Sequence, residues 1–196
     1  ILLLAAGSAR RMRGTDKLLE PVGTAPLLRH AAQQALASGA ARVHVVLPPD
    51  RPERRAALDG LDVDIVIASE AHRGMAHSLV AGMAALSAET DAAIVALADM
   101  PEIDAAAYDA LIEGFAPEDG HEICRAVTPG GVPGHPVLFG RRFFENLTEI
   151  SGDRGARSVL RMAPEYARDI PLPGSAAVTD LDTPEDWAAW RAERTG

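Results

Sequence analysis

Cysteine, aromatic side chains and long apolar runs are all scarce in this 196-residue chain. With Cys124 as its one cysteine, the chain can form no intramolecular disulfide, which fits a reducing, cytoplasmic setting. A lone thiol with no catalytic partner in its local sequence reads as a buried structural residue. Aromatics make up 4% of the chain and hydrophobic residues 47%. The core must therefore be built from Ala, Val, Leu and Ile, which favours close packing of helices on a sheet. No run approaches the roughly 18 apolar residues that cross a bilayer, so no membrane association is expected. Positive charge is also in deficit: 19 Lys and Arg face 28 Asp and Glu, a formal net charge of −9. A nucleic-acid partner, which calls for a basic surface, is not expected.

Short apolar runs alternate with helical patterns, the mark of a parallel sheet covered by helices. The expected fold is a single α/β domain over residues 1–196: a Rossmann-like three-layer sandwich with a mostly parallel mixed sheet. Ile1 to Ala5 reads as a buried strand. No basic leader precedes it, so it does not read as a signal peptide; without an initiator Met, the chain is expected to begin inside that strand. Gly7 to Gly14 reads as a loop. Thr24 to Ser38 reads as a helix, with Leu28, Ala31, Ala32, Ala35 and Leu36 on one face and Gly39 as its stop. Further strands are expected at Val43 to Leu47, Val63 to Ala68, Ala92 to Ala98 and Ala167 to Leu172. Further helices are expected at Met75 to Leu86, Asp104 to Phe115, Arg141 to Glu149, Arg154 to Met162 and Thr183 to Glu193. Thr128 to Pro136, rich in Gly and Pro, reads as a loop or hairpin.

Several segments carry candidate chemistry. Directly after the first strand comes Ala5-Ala6-Gly7-Ser8-Ala9-Arg10-Arg11-Met12-Arg13-Gly14-Thr15-Asp16-Lys17. Ligands of open α/β sheets bind beyond the carboxyl ends of strands. Small residues let backbone N–H groups approach a phosphate, and Arg and Lys neutralise it. The segment fits neither the Walker loop nor the dinucleotide fingerprint. A solvated basic loop is the plain alternative. Asp99 ends the apolar run Ala92 to Ala98, where a carboxylate suits either Mg²⁺ or a turn. In Asp180-Leu181-Asp182-Thr183-Pro184-Glu185-Asp186, Thr183 and Asp186 make a capping-box-like pair. Asp180 and Asp182 are left over as candidate metal ligands.

Gly134-His135-Pro136 reads either as a turn or as a place where a substrate can come close. In Ser151-Gly152-Asp153-Arg154-Gly155-Ala156-Arg157, Asp153 could cap a helix, and the arginines could help bind an anion. Gly74 to Leu79 opens a helix with small residues and the Ser78 hydroxyl, which could face a base or sugar.

Taken together, these segments resemble the molybdenum cofactor nucleotidyltransferase family. Leu4-Ala5-Ala6-Gly7 through Arg11-Met12 to Lys17 is similar to its N-terminal signature, and Ala98-Asp99-Met100-Pro101 to its metal-binding aspartate motif. Gly134-His135-Pro136, Gly152 to Arg157 and Asp182 to Asp186 look like later motifs of the cytidylyltransferase branch. Arg10-Arg11-Met12 with Asp16-Lys17 is also similar to the guanylyl branch. Arg13 stands where a glycine is usual, and Ala9 where a serine is common.

The resemblance implies transfer of a nucleoside monophosphate, CMP from CTP, onto molybdopterin or a related phosphorylated acceptor. It implies Mg²⁺ as cofactor and a molybdoenzyme receiving the product as protein partner. Arg11, Lys17 and Asp99 would be catalytic. Ala5, Ala6, Gly7, Ser8, Arg11, Lys17, Gly74 and Ser78 would bind nucleotide. Gly134, His135 and Asp153 would border the acceptor, and Asp99 with Asp182 or Asp180 would hold the metal. Two other readings use the same N-terminal residues: a nucleotidyltransferase for another acceptor such as a sugar phosphate, and a cofactor-binding protein or NAD(P)H-dependent reductase on the same fold.

Overall fold

The alternating apolar runs assemble into a seven-stranded sheet with helices against both faces. The computed structural model describes residues 1–7, 12, 14–149 and 156–194. The chain begins with β1 (Leu2–Leu4), a small hairpin of β2 (Pro21–Val22) and β3 (Ala25–Pro26), and α1 (Leu27–Leu36). It continues through β4 (His44–Leu47), α2 (Pro52–Ala56), β5 (Asp64–Ile67), α3 (Met75–Ala84), β6 (Ala92–Leu97) and α4 (Ala105–Gly114). The last part holds β7 (Ile123–Val127), β8 (Pro133–Gly140), α5 (Phe144–Thr148), α6 (Arg157–Met162), β9 (Ala167–Pro171) and α7 (Pro184–Arg194). The sheet order is β5-β4-β1-β6-β8-β7-β9. Within this sheet, among the described residues, β8 runs against both its neighbours and the other pairings are parallel.

Side chains of successive strand residues point to opposite faces, and β1 shows how the core is divided. Leu3 joins Val45, Ile94, Ala96 and the inward faces of α1, α4 and α7. Leu2 and Leu4 join Val46, Val95, Leu79 of α3 and Leu147 of α5. All three leucines of β1 are buried, as expected for a strand covered on both faces. Cys124 lies in the first of these layers with no exposure, and burial pushes its thiol up to about 11. That is the setting of a packing residue.

The topology places a site between β1 and β6. The chain leaves β1 for β4 on one side, while β6 pairs with β1 on the other. Where connections diverge in this way, the carboxyl ends of two adjacent parallel strands open a crevice. The last segment is drawn in from the far end of the chain by α7, whose Trp187 and Trp190 are buried. The two rings meet edge to face with centroids 6.0 Å apart, and the Trp190 indole N–H donates to Glu102 at 3.1 Å. The start of α7 is a reciprocal cap: the Thr183 N–H donates to Asp186 at 2.8 Å, and the Asp186 N–H to the Thr183 hydroxyl at 3.1 Å. The capping-box reading of that pair therefore holds.

Beyond α2 and β7, which are not expected from the sequence, two stretches have bounds other than those read from it. Thr24 to Pro26 does not start a helix. Val22 and Ala25 pair across a two-residue turn in which Gly23 has φ 61°, a conformation glycine adopts at little cost. Helix α1 thus begins at Leu27. The Gly- and Pro-rich Thr128–Pro136 stretch contains a hairpin turn, in which the Gly131 N–H donates to the Thr128 carbonyl at 2.8 Å, but its second half already belongs to β8. Pro136 is accommodated there by a register shift between β7 and β8, where a residue without an N–H leaves no ladder bond broken.

Gly134 on β8 is packed too closely for any side chain. A Cβ there would lie 1.7 Å from the Ala177 carbonyl oxygen, and the neighbouring His135 N–H donates to that same oxygen at 2.9 Å. Gly134→Ala should therefore force the backbone at Ala177 to move, lowering unfolding free energy by about 1–3 kcal/mol. Urea denaturation checks this, and a midpoint equal to that of the wild type would contradict the packing argument.

Candidate active site

Four stretches of the chain meet at the carboxyl ends of β1 and β6 around an open cleft of about 1460 Å³. The first is Leu4–Gly7 with Gly14–Leu19, running out of β1. The second is Pro48–Arg51 with Glu53, after β4, and the third runs from Ser69 through Ala71–Met75 to Ser78, after β5. Leu97 of β6 and Asp99, two residues beyond it, join Asp180 and Asp182 to form the fourth. Ala5, Ala6, Gly7, Lys17, Gly74, Ser78, Asp99, Asp180 and Asp182, far apart in sequence, thus share one cavity.

At the floor of the cleft, the Lys17 ammonium donates to Asp99 Oδ2 at 2.5 Å and also to Asp182 Oδ1. Lys17 is 8% exposed, so its charge could not stay there without partners. Burial disfavours the ammonium, but the charges and hydrogen bonds of Asp99 and Asp182 together outweigh it and raise the lysine above its ordinary range. The Asp99 carbonyl accepts the Leu181 N–H at 3.2 Å, and this bond sets the Asp180–Asp182 segment beside Asp99. Burial, then the like charges of Asp182 and Asp99, push the Asp180 carboxyl up.

Asp99, Asp180 and Asp182 each offer one oxygen within 4.8 Å of the others, and they are the described residues that form such a cluster. Asp99 Oδ1 is buried without a hydrogen-bond partner. A buried acceptor left over in a group of hard oxygen donors fits a divalent cation of the Mg²⁺ or Mn²⁺ type. These residues therefore have both the chemistry and the spacing for the ion expected there.

Lys17 is aimed by its local structure. It begins a 3₁₀ turn, Lys17–Leu19, whose N-cap is Asp16; Asp16 Oδ1 accepts the Leu18 N–H at 3.1 Å. Asp16 in turn grips Arg54 of α2. Arg54 Nε donates to Asp16 Oδ2 at 2.7 Å and Nη2 to Asp16 Oδ1 at 2.9 Å. Arg54 Nη1 reaches the carbonyls of Ala5 at 2.5 Å and Gly7 at 3.0 Å. Arg54 is 1% exposed. Sequence reasoning missed it, since α2 is only five residues long and has no readable apolar period. The available signal was an arginine cluster, Arg51 to Arg55, just beyond a strand end.

On the opposite wall, Gly74 caps α3 at φ 125° and no side chain caps that helix. A residue with a Cβ would be strained at this φ. Ser78 is buried one turn in, and Met75 is 55% exposed at the rim. Gly134 and His135 do not line the cleft; they lie against Ala177 as described above. Ser8, Arg11 and Asp153 lie outside the described residues, as do Ala9 and Arg13. No helix among the described residues is long and apolar enough to cross a membrane.

Known proteins share this fold. A family described as MobA-like NTP transferase domain matches residues 1–169. The chain is 32% identical over 118 residues to the bifunctional protein GlmU of Agrobacterium fabrum, covering 59% of this chain and 26% of that protein. The chain thus spans about a quarter to a third of the GlmU proteins it matches. It is 28% identical over 190 residues to nicotine blue oxidoreductase of Paenarthrobacter nicotinovorans, covering 94% of this chain and 92% of that protein. Among solved structures, Rv0371c of Mycobacterium tuberculosis superposes with a TM-score of 0.82 at 26% identity, covering 96% and 94% of the two chains. A manganese complex of Rv0371c superposes with a TM-score of 0.78 at 23% identity, covering 96% and 95%. With the family matched from β1 into β9 and the structural likeness running nearly end to end, this chain belongs to the MobA-like NTP transferase domain family.

Proposed function

We propose that this protein is a divalent-metal-dependent nucleotidyltransferase. It would transfer CMP from CTP to the phosphate of molybdopterin or a related phosphorylated acceptor and release pyrophosphate. The observation that carries this reading is the cluster of Lys17, Asp99, Asp180 and Asp182 at the β1–β6 crevice. A protein that only bound a nucleobase or a flat cofactor would have no use for three carboxylates and an ammonium on one floor. Mg²⁺ or Mn²⁺, held by Asp99 with Asp182 or Asp180, would neutralise charge on phosphate oxygens. The manganese complex of Rv0371c is consistent with that choice of ion.

The chain's own residues would do the rest by positioning and electrostatics. Ala6 and Gly7, with Ser8 and Arg11 as the resemblance implies, would hold the triphosphate. Lys17 would leave the two carboxylates for the triphosphate as the ion arrives. Gly74 and Ser78 would face the base and sugar. An acceptor phosphate oxygen would attack the α-phosphorus in line, forming the new P–O bond as the bond to pyrophosphate breaks. The acceptor phosphate is already ionised near neutral pH, so no strong general base is required. Gly134 and His135, through Ala177, would brace the segment carrying Asp180 and Asp182, and Asp153 would border the acceptor.

A second reading has one specific observation in its favour, the near full-length similarity to nicotine blue oxidoreductase. On that reading the same cleft would serve an NAD(P)H-dependent reductase. The deciding experiment is pyrophosphate release from CTP, GTP, ATP and UTP with Mg²⁺ or Mn²⁺, with and without molybdopterin. Release from CTP that requires molybdopterin is the expected result. Release from another NTP would move the base assignment. Failure to bind any NTP, with NAD(P)H bound instead, would favour the reductase.

Two substitutions test the named roles. Asp99→Asn should lower turnover on the order of a hundredfold or more while the far-ultraviolet circular dichroism stays that of the wild type; unchanged turnover would remove Asp99 from the metal site. Lys17→Ala should weaken triphosphate binding about tenfold or more, as loss of a charged hydrogen bond does, and weaken monophosphate binding less. Calorimetric titration checks this, and equal losses would count against a phosphate role.

A further inference from the structure

We propose that Arg54 is a positioning residue for triphosphate binding, acting by locking the two banks of the phosphate-binding segment to each other. This rests on the nucleotidyltransferase reading above. One bank is Ala5–Gly7, at the exit of β1; the other is Gly14–Lys17, at the return of the chain. Among the described residues, one guanidinium ties them directly: it donates to the carbonyls of Ala5 and Gly7 on one side and to both carboxylate oxygens of Asp16 on the other.

Three physical arguments assign this arrangement to function. First, a buried Arg–Asp pair is a weak device for stability, because the desolvation of both charges offsets their attraction. What the pair does provide is a fixed spatial relation between the segments it joins. Second, the Ala5 carbonyl turned toward Arg54 fixes the plane of its peptide. In a trans peptide the N–H points the other way, so the Ala6 N–H is held facing away from Arg54. Third, Asp16 immediately precedes Lys17, and its Oδ1 also caps the 3₁₀ turn that carries the lysine. Fixing Asp16 therefore fixes where the Lys17 chain begins. A planar fork is required to serve four acceptors in these directions, and a lysine with its compact ammonium cannot do so.

The test uses the full chain with Arg54→Lys and, as a second variant that leaves the guanidinium in place, Asp16→Asn. Each is titrated calorimetrically with whichever of CTP, GTP, ATP and UTP the wild type binds most tightly, and with the corresponding monophosphate. Thermal melts confirm that the variants are folded at the titration temperature. The expected result is triphosphate binding weakened about tenfold or more in Arg54→Lys and by a smaller factor in Asp16→Asn, with monophosphate binding within about twofold of the wild type. A purely structural role would lower the melting temperature but leave the folded fraction binding both ligands as the wild type does, and that result would overturn the proposal. Equal losses for triphosphate and monophosphate would overturn it too. A wild-type protein that binds no NTP would overturn the nucleotidyltransferase reading itself, and this inference with it.

Discussion

The Lys17 ammonium, held between the carboxylates of Asp99 and Asp182, ties together three parts of the chain that are otherwise far apart. One lies after β1, one after β6 and one just before α7. A charge as buried as that of Lys17 persists only where opposite charge surrounds it, so the lysine and its two partners fix one another. The balance within the cluster is uneven. Asp180 stands beside the pair with its carboxyl pushed up by burial and by its acidic neighbours, and Asp99 retains a buried oxygen with no partner. A single ammonium leaves such a site short of positive charge. A divalent ion would correct that deficit and free the lysine for an incoming phosphate. On the proposed reading the same residues would make a stable floor before substrate arrives and allow its rearrangement afterwards.

Supporting contacts lie behind the cluster, and each acts on backbone rather than on substrate. Arg54 fixes the carbonyls of Ala5 and Gly7 and the cap of the turn that bears Lys17. The Leu181 N–H bonded to the Asp99 carbonyl sets the spacing of the acidic segment. Trp187 and Trp190 seat α7 in the core, and the Thr183–Asp186 cap turns the chain from that segment into the helix. Gly134 allows β8 to lie against Ala177, three residues before Asp180. The similarity to both GlmU and nicotine blue oxidoreductase is understandable in these terms, since one scaffold can hold differently furnished clefts.

Much of this was legible in the sequence wherever a strong local period or a fully buried strand was involved. Strands β1, β4, β5 and β6 and helices α1, α3, α4 and α7 follow from apolar runs and helical spacing. Asp99 stood out because a carboxylate ends an otherwise apolar run, and Asp180 and Asp182 because the cap explained their neighbours and not them. What escaped was set by tertiary contacts. Strand β7 owes its place to pairing on both edges with β8 and β9, and its Arg125 breaks the apolar run that would have announced it. The β2–β3 hairpin is too short to show a period. Arg54 carries no local signal of its partner, because nothing within α2 shows that it reaches Asp16, 38 residues away. Gly134 drew attention for its motif, whereas its contact with Ala177 depends on a partner far along the chain.

The central claim is that the acidic floor takes a divalent ion together with a triphosphate while Lys17 changes partners. The most direct measurement is a crystal structure with Mn²⁺ and the α,β-methylene analogue of CTP, with the ion located by its anomalous scattering. The account predicts Mn²⁺ on Asp99 and on Asp180 or Asp182, with the Lys17 ammonium moved from the carboxylates to the phosphates. An ion bound away from Asp99, or a triphosphate bound while Lys17 still bridges Asp99 and Asp182, would contradict it.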